Sequence, residues 1–379
     1  MRERIYLSLA QMGGGEQAFI KEAFDTNWVV PLGPNVDAFE KDLEAFFGEE
    51  RHVVALASGT AAIHLGLLQL GVGPGDEVIC QSFTFAASAN PVAYLGAKPV
   101  YVDSEADTWN MSPRFLEEAI LDRKAKTGKY PKAVVPVHLY GMPARMDEIC
   151  AIAAKYGIPI MEDAAEAIGS GYKGRKCGAF GEFGALSFNG NKMITTSGGG
   201  ALICRTAEEA RRTMFYATQA RENRPYYYHE HVGYNYRMSN ICAGIGRGQM
   251  QVLAGHIARR RAIHALYTEL LADVKGVEVM QNPAAEFDSN FWLTCITVDS
   301  VVCGVTADDI RLRLETENIE SRLLWRPMHM QPVYADCPFY GDGTAERIFN
   351  KGLCLPSGSS LTDEQIRAVA DVIKNGLAR

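Results

Sequence analysis

Between residues 50 and 205, short apolar runs alternate with helical patterns, and several of the runs end in polar residues. His52–Ala57 reads as a strand ending in Ser58-Gly59-Thr60, with a helix over Ala61–Leu70 behind it. Glu77–Cys80 and Lys98–Val102 predict two further strands, separated by a helix over Ala86–Leu95, and the second strand ends at Asp103. Ala133–Val137 predicts another strand, Met146–Tyr156 an amphipathic helix, and Ile158–Met161 a strand running into Glu162-Asp163. This alternation predicts an α/β unit with a mostly parallel sheet covered on both faces. Ligands in such sheets gather beyond the carboxyl ends of the strands, where these polar residues fall. Past Gly244 the pattern changes: Gln249–Leu271 reads as one long helix, Phe291–Val298 as a strand, and Ala307–Glu317 and Thr362–Gly376 as helices. The expected organisation is a large domain over residues 1–247 and a smaller α+β lobe over residues 248–379.

A length of 379 residues suits two such units. The formal net charge of -7 gives no basis for a nucleic-acid partner. The basic clusters Arg211-Arg212 and Arg259-Arg260-Arg261 fall in helical stretches, where a solvated face accounts for them. Nine scattered cysteines without a CxxC pair fit free thiols in a reducing compartment, and no metal site is expected. Met1-Arg2-Glu3-Arg4 is no apolar leader, and no run of about 18 apolar residues could span a bilayer. A soluble, cytoplasmic protein is the expectation.

Three segments carry candidate chemistry. In Gly184–Gly200, GALSFNGNKMITTSGGG, an apolar strand runs into a polar turn that presents Lys192, and a Gly-rich connection leads to the next strand. A lysine between strand ends suits Schiff-base chemistry; a hairpin with a surface lysine accounts for it equally. In IPIMEDAAEAIG, Asp163 sits at a strand tip, where it could hold a protonated pyridine nitrogen or simply cap a helix. Ser58-Gly59-Thr60 opens a helix whose first-turn amides, with the Thr60 hydroxyl and Ser187, could cradle a phosphate.

Together these segments resemble the DegT/StrS family of nucleotide-sugar aminotransferases, from about residue 5 to the C-terminus. The resemblance rests on ASGTAAIHL, GDEVICQSFTFAASANPVAYLGAKPVYVD, PVHLYG, EDAAEAIGS, SFNGNK, GYNYRMSN and RPMHMQPVY, in that order. It implies a fold-type-I (aspartate-aminotransferase-like) architecture, pyridoxal 5'-phosphate as cofactor, and a homodimer with shared active sites. It implies Lys192 as the Schiff-base lysine, Asp163 at the pyridine nitrogen, Gly59, Thr60 and Ser187 at the phosphate, and Phe85 on the ring face, although an ordinary core aromatic also explains Phe85. Asn235 would reach the neighbouring subunit's phosphate, although turn chemistry beside Gly233 also explains it.

Many members have Gln where this chain has Glu166, and an ionised carboxylate donates no hydrogen bond, which leaves its contact with the cofactor open. Members with Glu there resemble 4-aminotransferases of UDP-linked 4-keto-6-deoxy-N-acetyl sugars. The implied reaction is transamination of UDP-4-keto-6-deoxy-GlcNAc by glutamate, giving a 4-amino-4,6-dideoxy sugar nucleotide for glycan biosynthesis. Amination at another carbon, a GDP- or dTDP-linked keto-sugar (perosamine-type), and a non-catalytic regulator on the same fold stay open. A related dehydratase would carry His in place of Lys192. Trp325, Arg326 and His329 are candidate contacts to the sugar or its diphosphate. Tyr226-Tyr227-Tyr228, with His229 and His231, forms an aromatic loop suited to covering the nucleotide or packing at a dimer interface.

Overall fold

The fold is that of a computed structural model describing residues 3–48 and 50–377; Met1 and Arg2, with which the charged opening begins, lie outside the described residues. In chain order the first strands are β1 (His52–Leu56), β2 (Glu77–Gln81), β3 (Lys98–Val102), β4 (Ala133–Val135) and β5 (Met161–Asp163). Next come β6 (Gly171–Tyr172), β7 (Arg175–Lys176), β8 (Phe183–Ser187) and β9 (Gly200–Cys204). A long helix, Asn240–Leu271, precedes β10 (Val277–Val279), β11 (Phe287–Asp288), β12 (Thr294–Val298), β13 (Arg322–Leu323), β14 (Phe339–Tyr340) and β15 (Gly352–Leu355).

The main sheet has two hydrogen-bonded halves, β1-β9-β8-β5 and β14-β3-β2-β4, joined by parallel bridges Val134–Ile160 and Val137–Asp163. Within the halves only β9 runs against its neighbours. Both faces are covered, as the near-continuous apolar runs require. Along β9, Leu202 and Cys204 face one core cluster while Ala201 and Ile203 face the other.

The helix Gly59–Gln69 is buried over most of its length, so it lacks the polar stripe of a surface helix. Ser58 caps it, its side chain accepting from the Ala61 amide at 3.0 Å. Glycine lets the strands approach this helix start. A Cβ on Gly200 would lie 2.3 Å from the Gly59 nitrogen, and one on Gly59 would lie 3.0 Å from the Ser187 Cβ.

The smaller lobe is built on the antiparallel sheet β10-β12-β15-β13. Several elements cross between the parts, among them β11, which pairs with β6. The long helix begins at Asn240, so the expected boundary at residue 248 falls inside it. Its Leu253 and Ile257 pack with the main sheet, while Ile263, Tyr267 and Leu271 pack with the lobe. Ile5, from the other end of the chain, also belongs to the lobe's core. In return, β14 adds an edge strand to the main sheet beside β3, and buried Asp103 accepts from the amides of Gly343, Thr344 and Ala345.

Two sequence expectations are corrected. The helix over Ala86–Leu95 is instead a short turn, Ala86–Ser88, and a five-residue helix starting at Asn90, because Pro91 supplies no amide donor. Arg211 and Arg212 are exposed, but Arg260 is no part of a solvated face, being only 1% exposed. No helix among the described residues is long and apolar enough to cross a membrane.

Because the obstacle is backbone rather than a flexible side chain, Gly200→Ala is expected to lower unfolding stability by about 1–3 kcal/mol. Gly198→Ala, whose Cβ would meet nothing within 4 Å, should stay within about 0.5 kcal/mol of the parent. Denaturant midpoints of the two variants test the close approach; equal midpoints would contradict it.

Candidate active site

Parallel pairing of β5 with β8 sets Asp163 beside Ala185, so the carboxyl ends of these strands deliver Asp163 and Ser187 to one place. The turn after β8 carries Lys192 back over the same strand ends. One cavity is lined by Gly59, Thr60, Phe85, Asp163, Glu166, Ser187, Lys192 and Trp325, with Gly198 and Gly199 from the Gly-rich connection. A second cavity continues from it toward the smaller lobe, sharing Phe85, Asn189, Lys192 and Trp325 and adding Trp292, Glu320 and Arg322.

Within the site, Lys192 Nζ donates to Glu166 Oε1 at 2.9 Å and lies 4.1 Å from the centre of the Trp292 ring. The other oxygen of Glu166 accepts from the Tyr140 amide at 2.7 Å. Tyr140 holds a left-handed backbone, φ 55°, a conformation costly for a non-glycine residue. Burial pushes the Glu166 carboxyl up to about 6, while the charge and hydrogen bond of Lys192 and the Tyr140 amide pull it back down.

Asp163 is held by a hydroxyl chain: Thr84 Oγ1 lies 2.7 Å from Ser88 Oγ, which donates to Asp163 Oδ2 at 2.6 Å. Its neighbour Glu162 belongs to a separate buried network, facing His138 Nε2 at 3.0 Å and accepting from the amides of Gly178 and Gly181. Phe85 keeps 57% of its surface exposed and packs on Trp325, with ring centres 5.4 Å apart. Trp325 in turn meets Tyr140 at 5.0 Å, and its amide donates to the Tyr140 hydroxyl.

Not every sequence candidate reaches this cavity. Asn235 lines a different one, with Arg221, His229 and Arg237. Arg326 is exposed and lines neither cavity at Lys192. His329 also stands outside them: Nδ1 faces Ser82 Oγ at 2.6 Å, Nε2 faces Glu346 at 3.0 Å, and the ring stacks on Phe339. Conversely, Thr84, Ser88, Tyr140 and Trp292 are site residues that sequence reasoning missed. The first three sit inside the quoted motifs SFTFAAS and PVHLYG, whereas Trp292 sits in none of them.

The donor set fits pyridoxal phosphate. An amine at Lys192 suits its aldehyde carbon, and the Asp163 carboxylate suits a protonated ring nitrogen. Gly59 opens a helix on this cavity, where first-turn amides without a partner inside the helix suit a phosphate. Among the described residues the Thr60 and Ser187 hydroxyls have no protein partner, so both are available to phosphate oxygens. The exposed face of Phe85 offers apolar cover for a ring.

If burial raises the Glu166 carboxyl from 4.5 to about 6, the folded protein binds more protons than the unfolded chain across that window. Stability from this group is then present below pH 4.5 and lost as pH rises through 6, a change of about 2 kcal/mol. Chemical denaturation of cofactor-free protein between pH 4 and 7 should show the parent losing ground to Glu166→Gln as pH rises. A difference independent of pH would contradict the burial argument.

Comparison with known proteins points to one family. The family model for DegT/DnrJ/EryC1/StrS aminotransferases matches residues 11–374. The putative pyridoxal phosphate-dependent aminotransferase EpsN of Bacillus subtilis is 48% identical over 98% of this chain and 96% of its own. A GDP-perosamine synthase of Caulobacter vibrioides is 36% identical over 97% and 96%. Among solved structures, a DegT DnrJ EryC1 StrS aminotransferase from Brucella abortus superposes with a TM-score of 0.89 at 32% identity, covering 96% and 95% of the two chains. With the family model spanning nearly the whole chain, and Lys192, Asp163 and the Gly59–Thr60 helix start lining one cavity, this protein belongs to the DegT/DnrJ/EryC1/StrS family of pyridoxal-phosphate-dependent aminotransferases.

Proposed function

We propose that this aminotransferase moves an amino group from glutamate to the 4-keto carbon of a nucleotide-linked 6-deoxy sugar, with Lys192 as its catalytic lysine. The observation that carries the reading is the placement of Lys192 Nζ, 2.9 Å from Glu166 and on the same cavity as Asp163 and the Gly59–Thr60 helix start. When bound, pyridoxal phosphate supplies the electron sink and carries the amino group between the two substrates.

The residues divide the remaining work. Asp163, oriented by Ser88, would hold a proton on the ring nitrogen. Gly59, Thr60 and Ser187 would bind the phosphate, and Phe85 would cover the ring. Lys192 Nζ would anchor the cofactor and, once free, carry the proton between cofactor and substrate carbon. Glu166, being an acceptor beside that amine, is placed to compensate its charge when it is protonated. Trp325 stands at the mouth shared by both cavities, as a sugar contact would.

For the substrate, Glu166 together with SFNGNKMITTSGGG supports UDP-4-keto-6-deoxy-GlcNAc. The 36% identity to a GDP-perosamine synthase favours a second reading, a GDP-linked 4-keto-6-deoxy sugar. The expected outcome is highest kcat/KM on the UDP-linked sugar when UDP-, GDP- and dTDP-linked 4-keto-6-deoxy sugars are compared with glutamate as donor. Preference for the GDP-linked sugar selects the second reading, and turnover of none of them overturns both.

The proposal includes a homodimer in which Asn235 serves the partner's cofactor phosphate. Support comes from its place in a cavity apart from Lys192, bordered by Pro31 and Leu32, near exposed Trp28, Val29 and Val30. Asn235→Asp would set a carboxylate against the phosphate and weaken cofactor binding. Mixing that variant with inactive Lys192→Ala, with subunit exchange confirmed, should return about a quarter of parent activity through the mixed dimers. Recovery of none, with the Asn235→Asp defect confirmed separately, would contradict the shared site.

A further inference from the structure

The long helix carries one guanidinium into the interior at the point where the parts of the molecule meet. Arg260 is 1% exposed and ranks among the largest fully buried side chains. Burial pulls its pKa down to about 9, and among the described residues no acid offsets it. A buried cation without a counter-ion is costly, so its hydrogen bonds have to compensate.

Those bonds converge on Lys192. Nη1 donates to the Trp292 carbonyl, and Nη2 donates to Ser8 Oγ at 2.9 Å and to the Lys192 carbonyl at 3.5 Å. The Ser8 hydroxyl and the Trp292 indole each donate to the Asn191 carbonyl at 2.8 Å. Arg260 thus reaches the backbone of Lys192 directly and that of Asn191 through one further bond. It also holds the residue whose ring lies 4.1 Å from Lys192 Nζ. A planar fork of donors suits this task, because the acceptors come from three separate segments of the chain.

We propose that Arg260 is a positioning residue for transamination: it keeps the Asn191–Lys192 backbone and the Trp292 ring in register, so that Lys192 Nζ is presented to the cavity beside Glu166. The inference rests on Lys192 being the cofactor lysine. It acts on orientation rather than on substrate affinity, since Arg260 touches neither cavity.

The test compares Arg260→Gln, Arg260→Lys and Ser8→Ala with the parent, as holoenzyme and after cofactor removal. Arg260→Gln should lower kcat on the order of tenfold to a hundredfold while KM for donor and acceptor stays within about threefold. In cofactor-free protein, amine-specific labelling of Lys192, read by peptide mass spectrometry, should rise several-fold with other lysines unchanged. Arg260→Lys should fall between, an ammonium donating from one point instead of a fork. Unchanged kcat and Lys192 labelling in folded Arg260→Gln overturns the proposal, as does a uniform rise across all lysines. If Arg260→Gln does not fold, Ser8→Ala decides: a smaller kcat loss with Lys192-specific labelling supports the role, and no change contradicts it. Near-normal turnover by Lys192→Ala would remove the cofactor assignment itself, whereas an inactive Lys192→Ala beside an unaltered Arg260→Gln overturns only the positioning role.

Discussion

A lysine amine and a carboxylate held 2.9 Å apart, with the carboxylate buried, are expensive to desolvate and are kept in place only by what surrounds them. Much of the site can be read as the means of holding that pair. The Tyr140 amide occupies the second oxygen of Glu166, at the cost of a left-handed backbone. The Trp292 ring packs against the amine, and Arg260 holds both the Trp292 carbonyl and that of Lys192. Removing one partner leaves another buried polar group unpaired, which is why the network's outlying members matter as much as its centre.

The sheet supplies the framework. Parallel β5 and β8 bring Asp163 and Ser187 out at the same end, and the glycines at 59 and 200 let the capped helix start close against that hairpin. The Gly59–Thr60 helix start thereby meets Asp163, Ser187 and Lys192, which lie about a hundred or more residues further along the chain. The long helix and β14 then tie the smaller lobe to this framework, and the second cavity opens between them beside Trp292 and Trp325.

The sheet was readable because buried parallel strands are continuous apolar runs that end abruptly in polar residues, as at Ser58-Gly59-Thr60 and Glu162-Asp163. Lys192, Asp163 and the helix start share motifs with their neighbours, so their chemistry could be anticipated together. Legibility failed where a residue's meaning depends on distant contacts. Arg260 reads as part of a surface cluster until Ser8, Lys192 and Trp292, far away in sequence, are seen to surround it. His329 suggested a substrate contact because nothing local shows that Ser82 and Glu346 already engage both of its nitrogens. Trp292 follows a left-handed Phe291 within a stretch that reads simply as strand, so its place against Lys192 left no local mark.

The central claim is that Lys192, and no other lysine, holds the cofactor. Borohydride reduction of the holoenzyme followed by peptide mass mapping tests it directly. The account predicts one added reduced cofactor per chain, on the peptide that contains Lys192. Cofactor mass on any other lysine, or none fixed to the chain after reduction of a pyridoxal-phosphate-loaded sample, would contradict it.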